Sequence, residues 1–118
     1  TDILSEIEKV IPTTPLVLHG ASSVPQDVKA ELIKYGASLK DAKGVPEEIL
    51  NEVSTKHHIV KINQDSDIRM VTTLAVRKYL TETPTEIDIR KYLGQAKKDI
   101  SAMVKHRIKD VFNTKEIK

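Results

Sequence analysis

The spacing of apolar and polar positions predicts helices that alternate with short strands. Residues 2–11 carry apolar side chains at i, i+1, i+4, i+7 and i+8, which form one stripe of an amphipathic helix that Pro12 ends. Similar stripes predict a helix between Pro25 and Gly36, a helix opened by Pro46, and a longer helix over about 67–80. The predicted stripes of the last two are Ile49, Leu50 and Val53, and Ile68, Val71, Thr72, Ala75 and Tyr79.

The pattern after Pro84 predicts two further helical pieces. A short segment over residues 88–93 should end at Gly94, since glycine commonly follows a helix C-terminus. A separate last helix then carries the apolar positions Ile100, Met103, Val104, Ile108 and Val111.

Two short runs have the pattern of strands covered on both faces. Residues 16–18 and 59–62 are largely apolar without alternation, which is typical of a parallel sheet. The long helical connection between them predicts a parallel pair with a right-handed crossover. Because sheets typically have about five or six strands, we expect the chain to be a piece of a larger α/β domain. The alternative is a small α-rich domain in which the apolar triplets are only loop or core.

Composition narrows the classes of protein. The 118 residues allow one domain at most, and 19 Lys and Arg against 17 Asp and Glu give a net charge of +2. The absence of cysteine excludes a disulfide framework, a thiolate nucleophile and a thiolate zinc site. No apolar run exceeds three residues and no secretory signal pattern is present, so we expect a cytoplasmic protein without a membrane partner.

The last helix is rich in basic residues, which raises the question of a nucleic-acid partner. Asp99 and Asp110 interrupt these basic positions, and only four aromatic residues are present, so a solvated helix face without a nucleic-acid partner is the favoured interpretation. A non-catalytic α-rich interaction module remains the alternative function. The basic positions are Lys97, Lys98, Lys105, Arg107 and Lys109.

Small and polar residues follow both predicted strands. The first strand is followed by His19-Gly20-Ala21-Ser22-Ser23, and the second by Asn63-Gln64-Asp65-Ser66 before a helix. Glycine lets backbone amides approach an anion, serine adds a donor, and a helix N-terminus offers free amides. Because the ends of parallel strands share one edge, the two loops together predict a phosphate site. Each loop alone equally fits an ordinary turn, with Asp65 or Ser66 as the helix cap.

Two side chains near these loops carry more specific chemistry. His19 ends a strand and could bind a metal through one ring nitrogen. Metal sites need about three protein ligands, so from spacing alone a loop histidine with an ordinary hydrogen bond is the commoner case. Arg69 lies about one turn into the helix and could contact an anion bidentately, although a solvated arginine is again commoner.

Three segments together resemble the C-terminal part of class II, metal-dependent fructose-bisphosphate aldolases. The run PLVLHGASSVP at 15–25 is similar to the zinc-histidine strand and phosphate loop of that family. The run KINQDSDIR at 61–69 resembles its last barrel strand and second phosphate loop, and DIRKYLG at 88–94 resembles the start of its C-terminal arm. The connection through residues 43–46 is similar to the fructose type.

The resemblance implies the last two strands and the C-terminal helices of a (β/α)₈ barrel. Residues 1–118 would be the C-terminal part of one ketose-bisphosphate aldolase domain, with the other zinc histidines and the catalytic aspartate upstream. It further implies a lyase that reversibly cleaves fructose 1,6-bisphosphate to dihydroxyacetone phosphate and glyceraldehyde 3-phosphate in glycolysis and gluconeogenesis. A tagatose-bisphosphate aldolase of the same family is the alternative.

The resemblance also implies roles for individual residues. His19 matches a zinc ligand, and Gly20 and Ser22 match the loop that holds a substrate phosphate, often beside a monovalent cation such as Na⁺ or K⁺. Asp65 and Ser66 match the second half of that phosphate site. Asn63 matches a residue that contacts the substrate near the scissile bond. Arg69 matches an arginine that in some members reaches the other phosphate across a dimer interface. A homodimer or a higher homo-oligomer is therefore expected.

Overall fold

The described residues, 2–39 and 43–114 of a computed structural model, form five α-helices and two strands in the predicted alternation. In chain order these are α1 Asp2–Val10, β1 Leu16–Leu18, α2 Gln26–Lys34, α3 Glu47–Lys56, β2 Ile59–Ile62, α4 Ser66–Glu82 and α5 Ile89–His106. A π-helical turn, Arg107–Val111, continues α5. Residues 40–42 of the predicted polar connection lie outside the described residues.

The two strands pair in parallel, as their connection predicted. Leu16 lies beside Ile59 and Leu18 beside Ile62, with an irregularity after Leu16. The amide of Asn63 donates to the carbonyl of Leu18 at 3.1 Å, which extends the pairing beyond β2. The chain is therefore α-rich with a small parallel sheet, which is compatible with the α/β class, and both strands end at the same edge.

Within the described chain, the two strands lack the cover on both faces that their apolar pattern predicts for a larger domain. Val17 is 45% exposed and Val60 is 69% exposed. The physical reason is that the sheet has two strands within the described ranges, so its outer edges and part of its surface have no neighbour. The residues nevertheless have the apolar character of a covered sheet.

Two apolar clusters hold the elements together, and the loop after β1 contributes to both. Ala21 packs with Leu50 of α3 and Val111 of the π-helical turn. Three residues further on, Val24 packs with Leu32 of α2 and Met70 of α4, neither of which touches the first cluster. Each fully buried aliphatic side chain contributes about 1.5–3 kcal/mol, so this loop is anchored as firmly as a core element.

Helix α5 differs from its predicted form, since Gly94 does not end a short segment but lies inside a helix of 18 residues. Asp88 caps that helix by accepting the amide of Arg90 at 3.0 Å. A glycine costs a helix interior about 1 kcal/mol relative to alanine. Packing along α4, where Ala96 is buried, offsets that cost.

Two details of the apolar pattern also differ from expectation. Ile49, placed on the buried stripe of α3 together with Leu50 and Val53, is 40% exposed, whereas the other two are buried. Met70 lies in the core of α4 although the predicted stripe omitted it. None of the helices in ranges 2–39 and 43–114 combines the length and apolar character needed to cross a bilayer.

Candidate functional site

His19 and Asn63 lie side by side at the carboxyl edge of the sheet. The amide Nδ2 of Asn63 is 2.8 Å from Nδ1 of His19. Each residue directly follows its strand, so the parallel pairing of β1 and β2 brings together two side chains that are 44 positions apart. The prediction that both residues share one rim is confirmed.

The partners of the two ring nitrogens of His19 determine how it could bind a metal. Its ring is exposed, and Nε2 has no partner among the described residues. Because the amide nitrogen of Asn63 can only donate, Nδ1 of His19 accepts this hydrogen bond and Nε2 carries the ring proton. A metal ion at His19 would have to replace either the Asn63 amide at Nδ1 or the proton at Nε2. Within the described ranges no group of three His, Cys, Asp or Glu residues could hold a metal. The described residues could therefore supply a metal with His19 as a single ligand at most.

The loop over residues 20–24 turns its carbonyls toward the protein. The carbonyl of Ser22 accepts from the amide of Val45 at 3.0 Å, and the carbonyl of Ala21 accepts from Nε2 of Gln64 at 3.4 Å. Gly20 has φ +66°, a left-handed conformation that favours glycine. In the described part of the chain, the amides of residues 20–22 and the hydroxyl of Ser22 have no acceptor or donor.

Asp67 fixes the second half of this loop. It is fully buried, and its carboxylate accepts the amides of Ser23 at 3.1 Å and Val24 at 3.0 Å. The hydroxyl of Ser23 lies 3.4 Å from the same carboxylate. Val24 is held at φ +47°, which is strained for a β-branched residue. Sequence reasoning missed Asp67, which stands in the first turn of α4 where an acidic residue is expected for the helix dipole alone.

Arg107 compensates the buried carboxylate. Its guanidinium contacts the hydroxyl of Ser23, lies 3.3 Å from Asp67 Oδ2, and donates to Glu47 Oε1 at 2.6 Å. The assignment of Arg107 to the solvated basic face is wrong, because this residue is only 4% exposed. It turns inward, where it pairs with Glu47 of α3 and Asp67 of α4. The other four basic residues of that face are exposed.

His106 extends the hydrogen-bonded network of Asp67, Arg107 and Glu47 toward the surface. His106 contacts Glu47 Oε2 through Nε2 and Asp110 Oδ2 through Nδ1, each at 2.8 Å. The hydrogen bond that His106 donates to Glu47, followed by the one that it donates to Asp110, raises the pKa of His106 above its ordinary 6.5. Glu47 therefore joins His106 to Arg107, and through Arg107 to the loop after β1.

The second loop presents an ion pair at the start of α4. Asp65 makes no capping hydrogen bond with its side chain, contrary to one of the two cap assignments. It pairs instead with Arg69, whose Nε and Nη2 lie 3.0 and 2.7 Å from the carboxylate. Both side chains are exposed, and Ser66 is exposed at the first position of the helix. An anion that binds Arg69 would have to compete with Asp65.

Gly44 brings the connection before α3 against the loop. A Cβ at Gly44 would lie 1.8 Å from the carbonyl oxygen of Ser23. Backbone therefore packs directly on backbone here, which only glycine permits. The loop after β1 is thus held by a carboxylate, a guanidinium and a second stretch of main chain.

The fold and this edge define an α/β unit in which an exposed histidine and a loop of small, polar residues follow two parallel strands. Comparison with known proteins specifies the family. A model of the family described as fructose-bisphosphate aldolase class-II matches residues 1–116. The chain belongs to this class II fructose-bisphosphate aldolase family.

Individual relatives agree with the family assignment. The chain is 46% identical over 113 residues to a fructose-bisphosphate aldolase of Treponema pallidum, covering 96% of this chain and 34% of the relative. It is 47% identical over 96 residues to one of Giardia intestinalis, covering 80% and 29%. A fructose-bisphosphate aldolase of Pseudomonas aeruginosa is 44% identical over 93 residues, covering 78% and 26%. The chain therefore spans about a third or less of the length of these relatives.

Proposed function

We propose that this chain is the C-terminal part of a zinc-dependent aldolase that reversibly cleaves fructose 1,6-bisphosphate to dihydroxyacetone phosphate and glyceraldehyde 3-phosphate. The observation that carries the proposal is the 2.8 Å contact between His19 and Asn63 at the ends of two parallel strands. Family membership supplies the class of chemistry. Such an enzyme would act in glycolysis and gluconeogenesis in the cytoplasm.

The architecture proposed for the whole enzyme is a (β/α)₈ barrel in which residues 1–118 supply the last two strands. Apolar surface supports it, because strand residues Val17 and Val60 and helix residues Ile3 and Val10 are exposed. The chain measures 58 × 40 × 18 Å, a slab rather than a sphere. The partner proposed for this surface is the rest of the same enzyme, whose neighbouring strands and helices would cover it.

His19 is the proposed metal ligand, one of three, with the other two supplied by the rest of the enzyme. Asn63, which donates to Nδ1 of His19, is the residue proposed to contact substrate near the scissile bond. Bound zinc supplies Lewis-acid polarisation of a substrate carbonyl. The chain's own contribution is to fix the imidazole at the rim and to place a phosphate-binding loop directly after it.

The proposed phosphate site uses donors that the fold leaves open. The amides of Gly20 and Ser22 and the hydroxyl of Ser22 have no protein partner among the described residues and belong to exposed or partly exposed residues, so we propose them as the anion donors. A monovalent cation such as Na⁺ or K⁺ would offset charge there. Asp65 and Ser66 complete the site from the second strand.

Arg69 extends the proposed site toward a second subunit. It is exposed and pairs with Asp65, so its guanidinium is already oriented on the outer side of α4. In a homodimer or higher homo-oligomer it would reach the second phosphate of a substrate bound to the neighbouring subunit. Its planar donor fork suits a phosphate better than a lysine would.

The test is His19→Ala in the full-length enzyme that contains this chain. His58→Ala is the matched control, since His58 is also exposed but precedes β2 at the opposite edge. We expect His19→Ala to lose stoichiometric zinc and aldol cleavage, because removing a ligand from a three-ligand site weakens metal binding. His58→Ala should retain both. Full zinc occupancy and turnover in His19→Ala would overturn the assignment, whether fructose or tagatose bisphosphate is the substrate.

A further inference from the structure

We propose that Asp67 and Arg107 are positioning residues for the phosphate loop. Together they clamp residues 20–24 so that the amides before Ser23 face the anion while those of Ser23 and Val24 face the protein. The inference rests on the proposed function and deepens it, since neither residue need touch substrate.

The first step concerns which amides remain available. A loop of successive amides can bind an anion only where those amides lack other acceptors. Asp67 takes the amides of Ser23 and Val24 at 3.1 and 3.0 Å, so these two are withdrawn from any ligand. The amides of Gly20 and Ser22 have no acceptor in the described part of the chain, while Ala21 between them is buried, which limits the anion donors to the segment beside His19.

The second step concerns backbone conformation. Val24 has φ +47°, an unfavourable value that persists only where the surrounding structure enforces it. The bond from its amide to Asp67 enforces it on one side, and burial of its side chain beside Leu32 and Met70 enforces it on the other. Without the carboxylate, Val24 would relax toward an ordinary conformation and carry the preceding amides with it.

The third step concerns charge. A fully buried carboxylate beside an anion site would repel the anion unless a cation compensates it. Arg107 provides that cation from a position 40 residues away, and it also contacts the hydroxyl of Ser23. Glu47 orients the guanidinium from its other side at 2.6 Å. Asp67 therefore connects the loop to the start of α4, and Arg107 connects it to the π-helical turn.

The experiment compares Asp67→Asn with Asp88→Asn in the full-length enzyme. Both substitutions remove one carboxylate charge from a helix start, but Asp88 bonds Arg90 and not the loop. The readouts are amide hydrogen exchange of the peptide over 20–24, affinity for inorganic phosphate, KM and kcat for fructose 1,6-bisphosphate, and zinc content. Ser23→Ala, which removes only the hydroxyl between Arg107 and Asp67, serves as a milder second variant.

We expect Asp67→Asn to speed exchange in the loop, to weaken phosphate binding and to raise KM about tenfold or more, with kcat within about threefold and zinc unchanged. Asp88→Asn should leave all of these values unchanged, and Ser23→Ala should move the same readouts in the same direction to a smaller extent. If Asp67→Asn does not fold, the result for Ser23→Ala decides. Unchanged phosphate affinity, or an equal rise of KM in Asp88→Asn, would overturn the proposal.

The proposed function can fail separately from this inference. Absence of aldol cleavage in the wild-type enzyme would remove the proposed reaction. Phosphate affinity and loop exchange would still show whether Asp67 and Arg107 position an anion-binding loop.

Discussion

Replacing Gly44 by alanine is expected to damage both stability and phosphate binding. The added Cβ would lie 1.8 Å from the carbonyl oxygen and 2.1 Å from the carbonyl carbon of Ser23, and 2.7 Å from the amide nitrogen of Val24. All three atoms belong to backbone, so no side-chain rotation can make room. One of the two segments must therefore retreat by about 1.6 Å or more to restore ordinary van der Waals separation.

The magnitude follows from what that movement breaks. Overpacking of a well-filled region costs about 1–3 kcal/mol. The hydrogen bond from Val45 to the carbonyl of Ser22, 3.0 Å long, links the same two segments, and its loss costs about 0.5–1.5 kcal/mol. Together these terms predict a destabilisation of roughly 1.5–4.5 kcal/mol for Gly44→Ala.

Gly94→Ala is a matched control for which we expect the opposite change in stability. A Cβ there meets no atom within 4 Å, and the residue lies inside α5. Gly94→Ala should therefore stabilise the protein by about 0.5–1 kcal/mol through helix propensity alone.

Thermal unfolding of the two full-length variants tests this contrast, with KM for the bisphosphate measured in parallel. Gly44→Ala should lower Tm and raise KM, because the displaced segment packs on the phosphate loop, whereas Gly94→Ala should raise Tm and leave KM alone. A Gly44→Ala variant as stable as wild type would show that the close approach of Gly44 to Ser23 is not real.

The rim residues could be predicted because their positions follow from local rules. Each strand is a short apolar run bounded by polar residues, and a helical crossover makes such strands parallel. Parallel strands end at the same edge, so the residues directly after them must meet there. The 2.8 Å contact between His19 and Asn63 is the direct consequence.

The contacts of Asp67 and Arg107 with the loop could not be predicted, because they join distant positions of the sequence through buried polar groups. Asp67 lies 44 positions from Ser23, and Arg107 lies 84 positions from it. A polar residue in a helical sequence gives no direct sign that it is buried. One signal was available for Arg107, which falls on the apolar stripe between Met103 and Val111, where a cation is expected to need a buried partner.

The error at Gly94 has a different cause. Glycine is the commonest residue just beyond a helix, so the glycine six residues after Asp88 predicts that the helix ends there. Its cost of about 1 kcal/mol is small beside the packing of an 18-residue helix along α4, and packing decides where α5 ends. Such tertiary terms are absent from any pattern read along one segment.

Two further predictions concern the hydroxyl of Ser22 and the imidazole of His106. Ser22→Ala should weaken binding of the bisphosphate by about 1.5–3 kcal/mol, the value of one charge-assisted hydrogen bond, and unchanged KM would argue that Ser22 only forms a turn. His106, flanked by Glu47, Asp110 and the neighbouring Arg107, has a raised pKa, so its protonated form stabilises the folded state. That contribution is fully present below the unfolded-state pKa near 6.5 and is lost as pH rises through the higher folded-state pKa. The Tm difference between wild type and His106→Asn should therefore shrink as pH rises above about 6.5, and a difference that grew with pH would contradict the assigned ion pairs.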